Sequence, residues 1–315
     1  DFETLCATAK KMGYDGLELA TWGNAFDLDR AYEDDSYIAW IKETLKKNGL
    51  VLSALATHII GQCVADLPDP RLNNFAPARL ANKPEEIRAW AIESMKKAAV
   101  VAKKLGVQTI SGFTGSPIWR YLYSFPQTTE EMVEEGFQEV RRLWLPILDV
   151  FKENGIRFAL EVHPGEIAFD YYSTKRLLEV FADRPEFGLN FDPSHLLWQG
   201  VTPHIFLEDF IDRIYNVHMK DAAVTLNGRT GLLGSHIDFG SIKRGWNFRS
   251  LGHGQVNFEE IIRVLNAYDN HCALAVEWED SGMERISGGT EACAFVRKVD
   301  FEPSDVKFDD AIANK

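Results

Sequence analysis

No apolar run in this 315-residue chain approaches the roughly 20 residues that a membrane-spanning helix needs, so none reads as a transmembrane segment. Basic charge is also short. Lys and Arg number 34 against 47 Asp and Glu, giving a net charge of −13 and a pI near 5.1. A protein that grips a phosphate backbone normally carries a basic footprint, so a nucleic-acid partner is not expected. Cysteine is scarce. Cys6, Cys63, Cys272 and Cys293 are far apart and form no CxxC pair, which fits buried thiols in a reducing compartment. The opening stretch DFETLCATAKKMG is polar and helical in pattern, unlike a signal peptide, and a cytoplasmic protein is expected. No glycine-rich phosphate turn follows an early strand pattern, which argues against a doubly wound nucleotide-binding sheet.

What the chain does have is alternation. Phe2, Leu5, Cys6, Ala9 and Met12 space as one helix face, closed by Gly13, and the strand pattern YDGLELA follows. A helix over Tyr37 to Leu45 leads to VLSALATH, and a helix over about Glu85 to Leu105 leads to VQTISGF. A long helix from about Thr129 to Asn154, with Pro146 inside it, precedes RFALEVHP. Helices near Ser173–Ala182 and His204–Asp212 separate that strand from FGLNFDPSH and RIYNVHMKD. A helix over Phe258–Tyr268 precedes CALAVEWED, a last helix covers about Met283–Val299, and the tail from Asp300 looks weakly ordered. Two stretches, 59–84 and 222–256, read as long loops.

Seven strands alternating with eight helices predict a single-domain (β/α)8 TIM barrel over residues 1–315, whose first strand is missing from the given chain. Functional groups in such barrels sit at the carboxyl ends of the strands. Four consecutive strands end in Glu161, Asp192, His218 and Glu277. One buried acid at a strand end is ordinarily a loop anchor. Three acids converging with an imidazole need a cation, or they repel. The oxygen-rich set suits Mn²⁺ best, with Mg²⁺ or Co²⁺ also suitable, and a divalent metal so held polarises a carbonyl for proton abstraction beside it.

The runs LEVHP, NFDPSH, NVHMKD and VEWED resemble the sugar isomerase/epimerase superfamily built on the xylose-isomerase-like barrel, over nearly the whole chain after Phe2. The resemblance implies that Glu161 and Glu277 bind the metal and serve as the acid/base pair, with Asp192 and His218 completing the ligands. It places His195 on a substrate oxygen. It also implies a small-molecule sugar or cyclitol substrate, and an isomerase or epimerase activity. The chain is similar as well to inosose dehydratases and to the catalytic subunits of C-glycoside deglycosidases, which need a small partner subunit. That leaves a lyase acting on a 3-keto-glycoside by β-elimination as the alternative.

Other residues are read from position. His163 shares a strand face with Glu161 and can act as a general base or orient a ligand. Lys220, two residues after His218, can bind a substrate oxygen or offset the carboxylates, and Glu18 and His58 end earlier strands. Within the 222–256 loop, read as a lid, Trp246 is expected as an apolar wall and Arg249 as an oxygen ligand. Trp119, Tyr121 and Tyr123 can wall a sugar or bury a partner helix. Lid aromatics would also suit a homo-oligomer contact. The barrel is shared by endonuclease IV, but Ser111-Gly112-Phe113-Thr114 ends the strand where that family needs a further histidine. A non-catalytic binding barrel, holding no metal or exchanging no substrate proton, is the remaining alternative.

Overall fold

Helices Pro84–Leu105 and Glu130–Asn154 stop the same way. Gly106 (φ 88°) and Gly155 (φ 69°) take the left-handed conformation and return backbone N–H groups to the last turn. Each stop turns the chain back into a strand along the adjoining sheet. The computed structural model describes residues 1–123, 125–181, 184–234 and 236–304. Its strands in chain order are β1 (Gly16–Ala20), β2 (Val51–Ala56), β3 (Thr109–Gly112), β4 (Arg157–Glu161), β5 (Phe187–Phe191), β6 (Ile214–Met219), β7 (Asp221–Val224), β8 (Trp246–Arg249) and β9 (Leu274–Val276). β1 to β6 and then β9 form one sheet of seven parallel strands, each paired with the next. Every β4 and β5 residue but Arg157 is buried, as expected when helices cover one face and the barrel interior the other.

The sheet is curled. Glu18 on edge strand β1 accepts a hydrogen bond from Asn216 on β6, 2.8 Å away across four intervening strands. No strand among the described residues joins β1 to β9, so the expected TIM barrel is nearly closed, with seven strands. Residues of both edges, among them Gly16, Leu17, Leu274 and Val276, line a cleft of about 690 Å³ there. Between sheet and helices the core is aromatic: Phe158 of β4 lies 4.5 Å from Trp144, 6.0 Å from Phe151 and 5.9 Å from Phe187, centroid to centroid. Truncating a side chain in such a position costs about 3–5 kcal/mol.

Three expectations need correction. The 59–84 stretch is not loop throughout: His58–Ala65 is a helix, and short 3₁₀ turns follow at Pro70–Asn74 and Ala78–Leu80. The helix packs so tightly on the chain after β3 that a Cβ on Gly61 would run into the Phe113 carbonyl oxygen. The 222–256 stretch holds an antiparallel hairpin, β7 against β8, with Val224 opposite Trp246 and Asp221 opposite Arg249. The eight expected helices leave out Leu28–Glu33 and Pro193–Leu197. The predicted end of the helix after β4 at Ala182, and the tail from residue 305, lie outside the described residues; Tyr171–Val180 is helical. No described helix is long and apolar enough to cross a membrane.

Candidate metal centre

Glu161 is the last residue of β4, Asp192 follows β5, His218 is next to last in β6 and Glu277 follows β9. Asp192 caps the short helix Pro193–Leu197: its Oδ1 accepts from the Ser194 backbone N–H at 2.8 Å and from the Ser194 hydroxyl at 2.7 Å. That leaves Oδ2 to face the barrel mouth. One ligand atom from each of Glu161, Asp192, His218 and Glu277 lies within 4.8 Å of the others. The first three residues are buried, and the Glu277 side chain is 40 % exposed.

His218 is held from both sides. Its Nε2 lies 3.1 and 3.2 Å from the two Glu18 carboxylate oxygens. Its Nδ1 lies 3.1 Å from Glu161 Oε2, 2.9 Å from Glu277 Oε2 and 3.1 Å from the Asn190 amide. The Asn190 amide and two carboxylate oxygens all crowd Nδ1, and although burial works against the His218 cation, the carboxylates of Glu18, Glu161 and Glu277 raise its pKa well above the ordinary value. His58 Nε2 lies 3.0 Å from Glu161 Oε2. His195 Nε2 lies 3.2 Å from Glu161 Oε1 and 3.3 Å from Asp192 Oδ2.

Burial pushes the Glu161 carboxyl upward, but the imidazoles of His195, His218 and His58, each within 3.2 Å of it, hold it well below the ordinary range. Glu277 is likewise lowered, burial being outweighed by the Lys220 ammonium. Burial would lower His195, yet Asp192 and Glu161 carry it up to about 9. His163 goes the other way, to about 3, because burial and then the charge of His195 disfavour its cation. Its Nδ1 sits 2.6 Å from the Pro164 carbonyl oxygen, which fixes the proton there and leaves Nε2 as the basic nitrogen.

Four polar atoms in and around this cluster are buried with no hydrogen-bond partner: His58 Nδ1, Asp192 Oδ2, His195 Nε2 and Glu277 Oε2. Glu277 Oε2, though 2.9 Å from His218 Nδ1, makes no hydrogen bond with it. Buried acceptors left unpaired cost about 1–3 kcal/mol each, more when charged. A divalent cation held among them would satisfy the Asp192 and Glu277 carboxylate oxygens together, so the residues present fit one. Three carboxylate oxygens and one imidazole form a donor set suited to a divalent ion.

His58, His163, His195, Lys220 and Trp246 all line the cavity above this cluster. Lys220 Nζ lies 2.9 Å from Glu277 Oε1, 3.1 Å from Glu279 Oε2 and 4.3 Å from the Phe248 ring centroid. Arg249 is not brought there. Side chains alternate along β8, so Trp246 and Phe248 face the cavity while Arg249 turns away toward Asp280, 4.0 Å distant. Arg244 lines the cavity in its place, over the rings of Phe239 and Trp246. His253, in the same stretch, pairs with Glu291 instead. Trp119 and Tyr123 do line the cavity.

Sequence reasoning missed Asn190 and Asn216. Both are buried inside the barrel; Asn190 donates to Glu161 Oε2 at 2.9 Å, and Asn216 donates to Glu18 Oε2 at 2.8 Å and to Asn190 Oδ1 at 3.1 Å. A signal existed: each stands two residues before a proposed ligand, on the same strand face, in an otherwise apolar run. Glu166 was missed too. Fully buried, it accepts from the Thr114 and Gly115 backbone N–H groups, both at 2.8 Å, and so ties the chain after β3 to the chain after β4.

The chain is similar to proteins of known sequence and structure. YfiH of Bacillus subtilis (strain 168) is 25 % identical over 307 residues, 91 % of either chain. An inosose dehydratase of Clostridium botulinum (strain Alaska E43 / Type E3) is 23 % identical over 192 residues, covering 60 % of this chain and 61 % of that one. The apo crystal structure of the 3-keto-D-glucoside 4-epimerase YcjR from E. coli superposes with a TM-score of 0.67 over 95 % of this chain and 94 % of that one, at 15 % identity. The family model for the xylose isomerase-like TIM barrel matches residues 6–299, and the chain belongs to that family.

Proposed function

We propose that this protein is a divalent-metal-dependent isomerase or epimerase that acts on a sugar or cyclitol by moving a proton next to a carbonyl. The observation that carries the reading is the convergence of Glu161, Asp192, His218 and Glu277 within 4.8 Å, with buried carboxylate oxygens left unpaired. Those four residues would hold the cation, Mn²⁺ in the first place. A divalent cation there would supply Lewis-acid polarisation of a substrate carbonyl and positive charge for the negative charge that develops on deprotonation. Glu161 and Glu277 are the acid/base pair, one removing the proton and the other returning it. His163, whose cation burial disfavours, lines the cavity as a neutral imidazole whose Nε2 is open to accept a hydrogen bond from substrate, a role of orientation rather than proton transfer. His195, Lys220 and His58 bind substrate oxygens, and Trp246 walls the ring. The membership of the family and the likeness to a 3-keto-glucoside epimerase support a carbohydrate substrate.

One observation favours a second outcome at the same site. The curated relatives include inosose dehydratases, and loss of a β substituent after deprotonation is elimination rather than epimerisation. The test supplies ketoses, inososes and 3-keto-glycosides with Mn²⁺ in D₂O and follows carbon-bound protons by NMR. Deuterium uptake without loss of a group supports epimerisation, and release of water or an aglycone supports the lyase. No exchange with any of them, in protein shown to hold metal, overturns proton transfer as the activity.

A further inference from the structure

A side chain that is to hold a cation must itself be aimed by a neighbour. Ser194 holds Asp192 Oδ1, Asn190 donates to Glu161 Oε2, and Glu18 lies against His218 Nε2. Glu277 is supported differently. Its side chain is partly exposed, and among the described residues its carboxylate accepts a single hydrogen bond, from Lys220 Nζ to Oε1 at 2.9 Å. That bond leaves Oε2 turned to the cluster, 2.9 Å from His218 Nδ1. Without it, a glutamate so open to solvent samples several rotamers.

Lys220 is the fixed member of the pair. It stands between β6 and β7 and is buried. Asp221, the next residue, accepts from the backbone N–H groups of Gly252, Gly254 and Val256, which anchors the chain there, and alternation turns Lys220 the other way, into the cavity. Its ammonium lies 4.3 Å from the Phe248 ring centroid and 3.1 Å from Glu279 Oε2. Phe248 is stacked in turn on Phe239, 5.1 Å away, so the β7–β8 hairpin backs the ammonium. Opposite, Glu277 and Glu279 line the cavity while Trp278 between them lines the edge cleft, its indole N–H donating to the Ser250 hydroxyl at 3.0 Å. A Cβ on Gly288 would run into that indole ring. Backbone anchored on both sides thus brings two carboxylates to one buried ammonium. We propose that Lys220 is a positioning residue for Glu277: it pins Oε1 so that Oε2 faces the cation site, and Phe248 of the hairpin keeps it there. The inference rests on the metal reading of the four residues, whereas the pin itself belongs to the protein with or without metal.

Lys220→Met removes the pin together with a positive charge beside the cation site. Loss of the charge alone tightens cation binding, and loss of the pin weakens it. Calorimetric titration of metal-stripped protein with Mn²⁺ should show affinity reduced about 10- to 100-fold in Lys220→Met, with an unchanged circular dichroism spectrum. In a Glu277→Ala background, where nothing is left to pin, the same change should leave affinity equal or tighter. Affinity held or raised by Lys220→Met alone, or an equal loss in both backgrounds, overturns the inference. Should the wild type bind no Mn²⁺, the metal reading fails by itself. The pin is then decided by ¹H–¹⁵N NMR of the Lys220 ammonium, its signal assigned by its absence from Lys220→Arg. Proton exchange at that ammonium accelerated roughly tenfold or more by Glu277→Gln upholds the pin, and exchange left unchanged overturns it.

Discussion

Glu166 offers a test of the framework that holds the site, independent of any substrate. It is fully buried, with one oxygen accepting from Thr114 and Gly115 and the other, Oε1, without a partner. Burial first, then the nearby Asp66 carboxylate, raises its carboxyl to about 8 from the ordinary 4.5. Below pH 4.5 the folded and unfolded states both carry the proton, and Glu166 contributes no pH dependence. Between 4.5 and about 8 the unfolded chain has released the proton and the folded one keeps it, so stability falls as pH rises. Above about 8 both states are ionised and the loss is complete. At roughly 1.4 kcal/mol per pH unit for one proton, the whole window is on the order of 5 kcal/mol. Glu166→Gln keeps an acceptor toward Thr114 and Gly115 but cannot ionise. Urea unfolding at pH 5, 6.5 and 8 should therefore show the wild type losing stability relative to the variant as pH rises. Parallel pH dependences in the two proteins would refute the assignment of a buried neutral acid.

Two further changes probe groups around the cluster. Glu18→Gln replaces the carboxylate 3.1 Å from His218 Nε2 and should weaken Mn²⁺ binding about 10- to 100-fold, read by calorimetry, with an unchanged circular dichroism spectrum. Unchanged affinity would mean that Glu18 does not orient His218. Asp221, buried at the start of the hairpin, accepts from the backbone N–H groups of Gly252, Gly254 and Val256. Asp221→Ala leaves those donors unpaired and should cost about 2–4 kcal/mol in urea unfolding; a cost below about 0.5 kcal/mol would show that the cradle adds little.

The barrel and the four converging residues were legible because both rest on short-range pattern. A parallel strand buried on two faces reads as an apolar run, and its exit to the barrel mouth is where the run first yields to Glu, Asp or His. Asn190 and Asn216 escaped because a single amide inside such a run looks like noise until the neighbouring strands are aligned; the register pairs Glu161 with Asn190 and Asn190 with Asn216. The β7–β8 hairpin escaped for a different reason. Its partners are separated by more than twenty residues rich in glycine, and β7 follows β6 so closely that the two merge in the sequence. Without that hairpin the alternation that turns Arg249 outward and Phe248 inward was not visible. The helix His58–Ala65 begins without a side-chain cap, since the Thr57 hydroxyl donates to the Ser111 carbonyl oxygen instead, and prolines follow it closely.

If Glu161, Asp192, His218 and Glu277 share one divalent cation, the protein binds a single such ion and holds it less tightly when any of the four is changed. Titrating metal-stripped protein with Mn²⁺ by calorimetry tests this most directly, beside Asp192→Asn and His218→Gln. The prediction is one ion per chain, with affinity reduced at least tenfold in either variant while the fold survives. No binding at millimolar Mn²⁺, or binding that both variants retain in full, would contradict it.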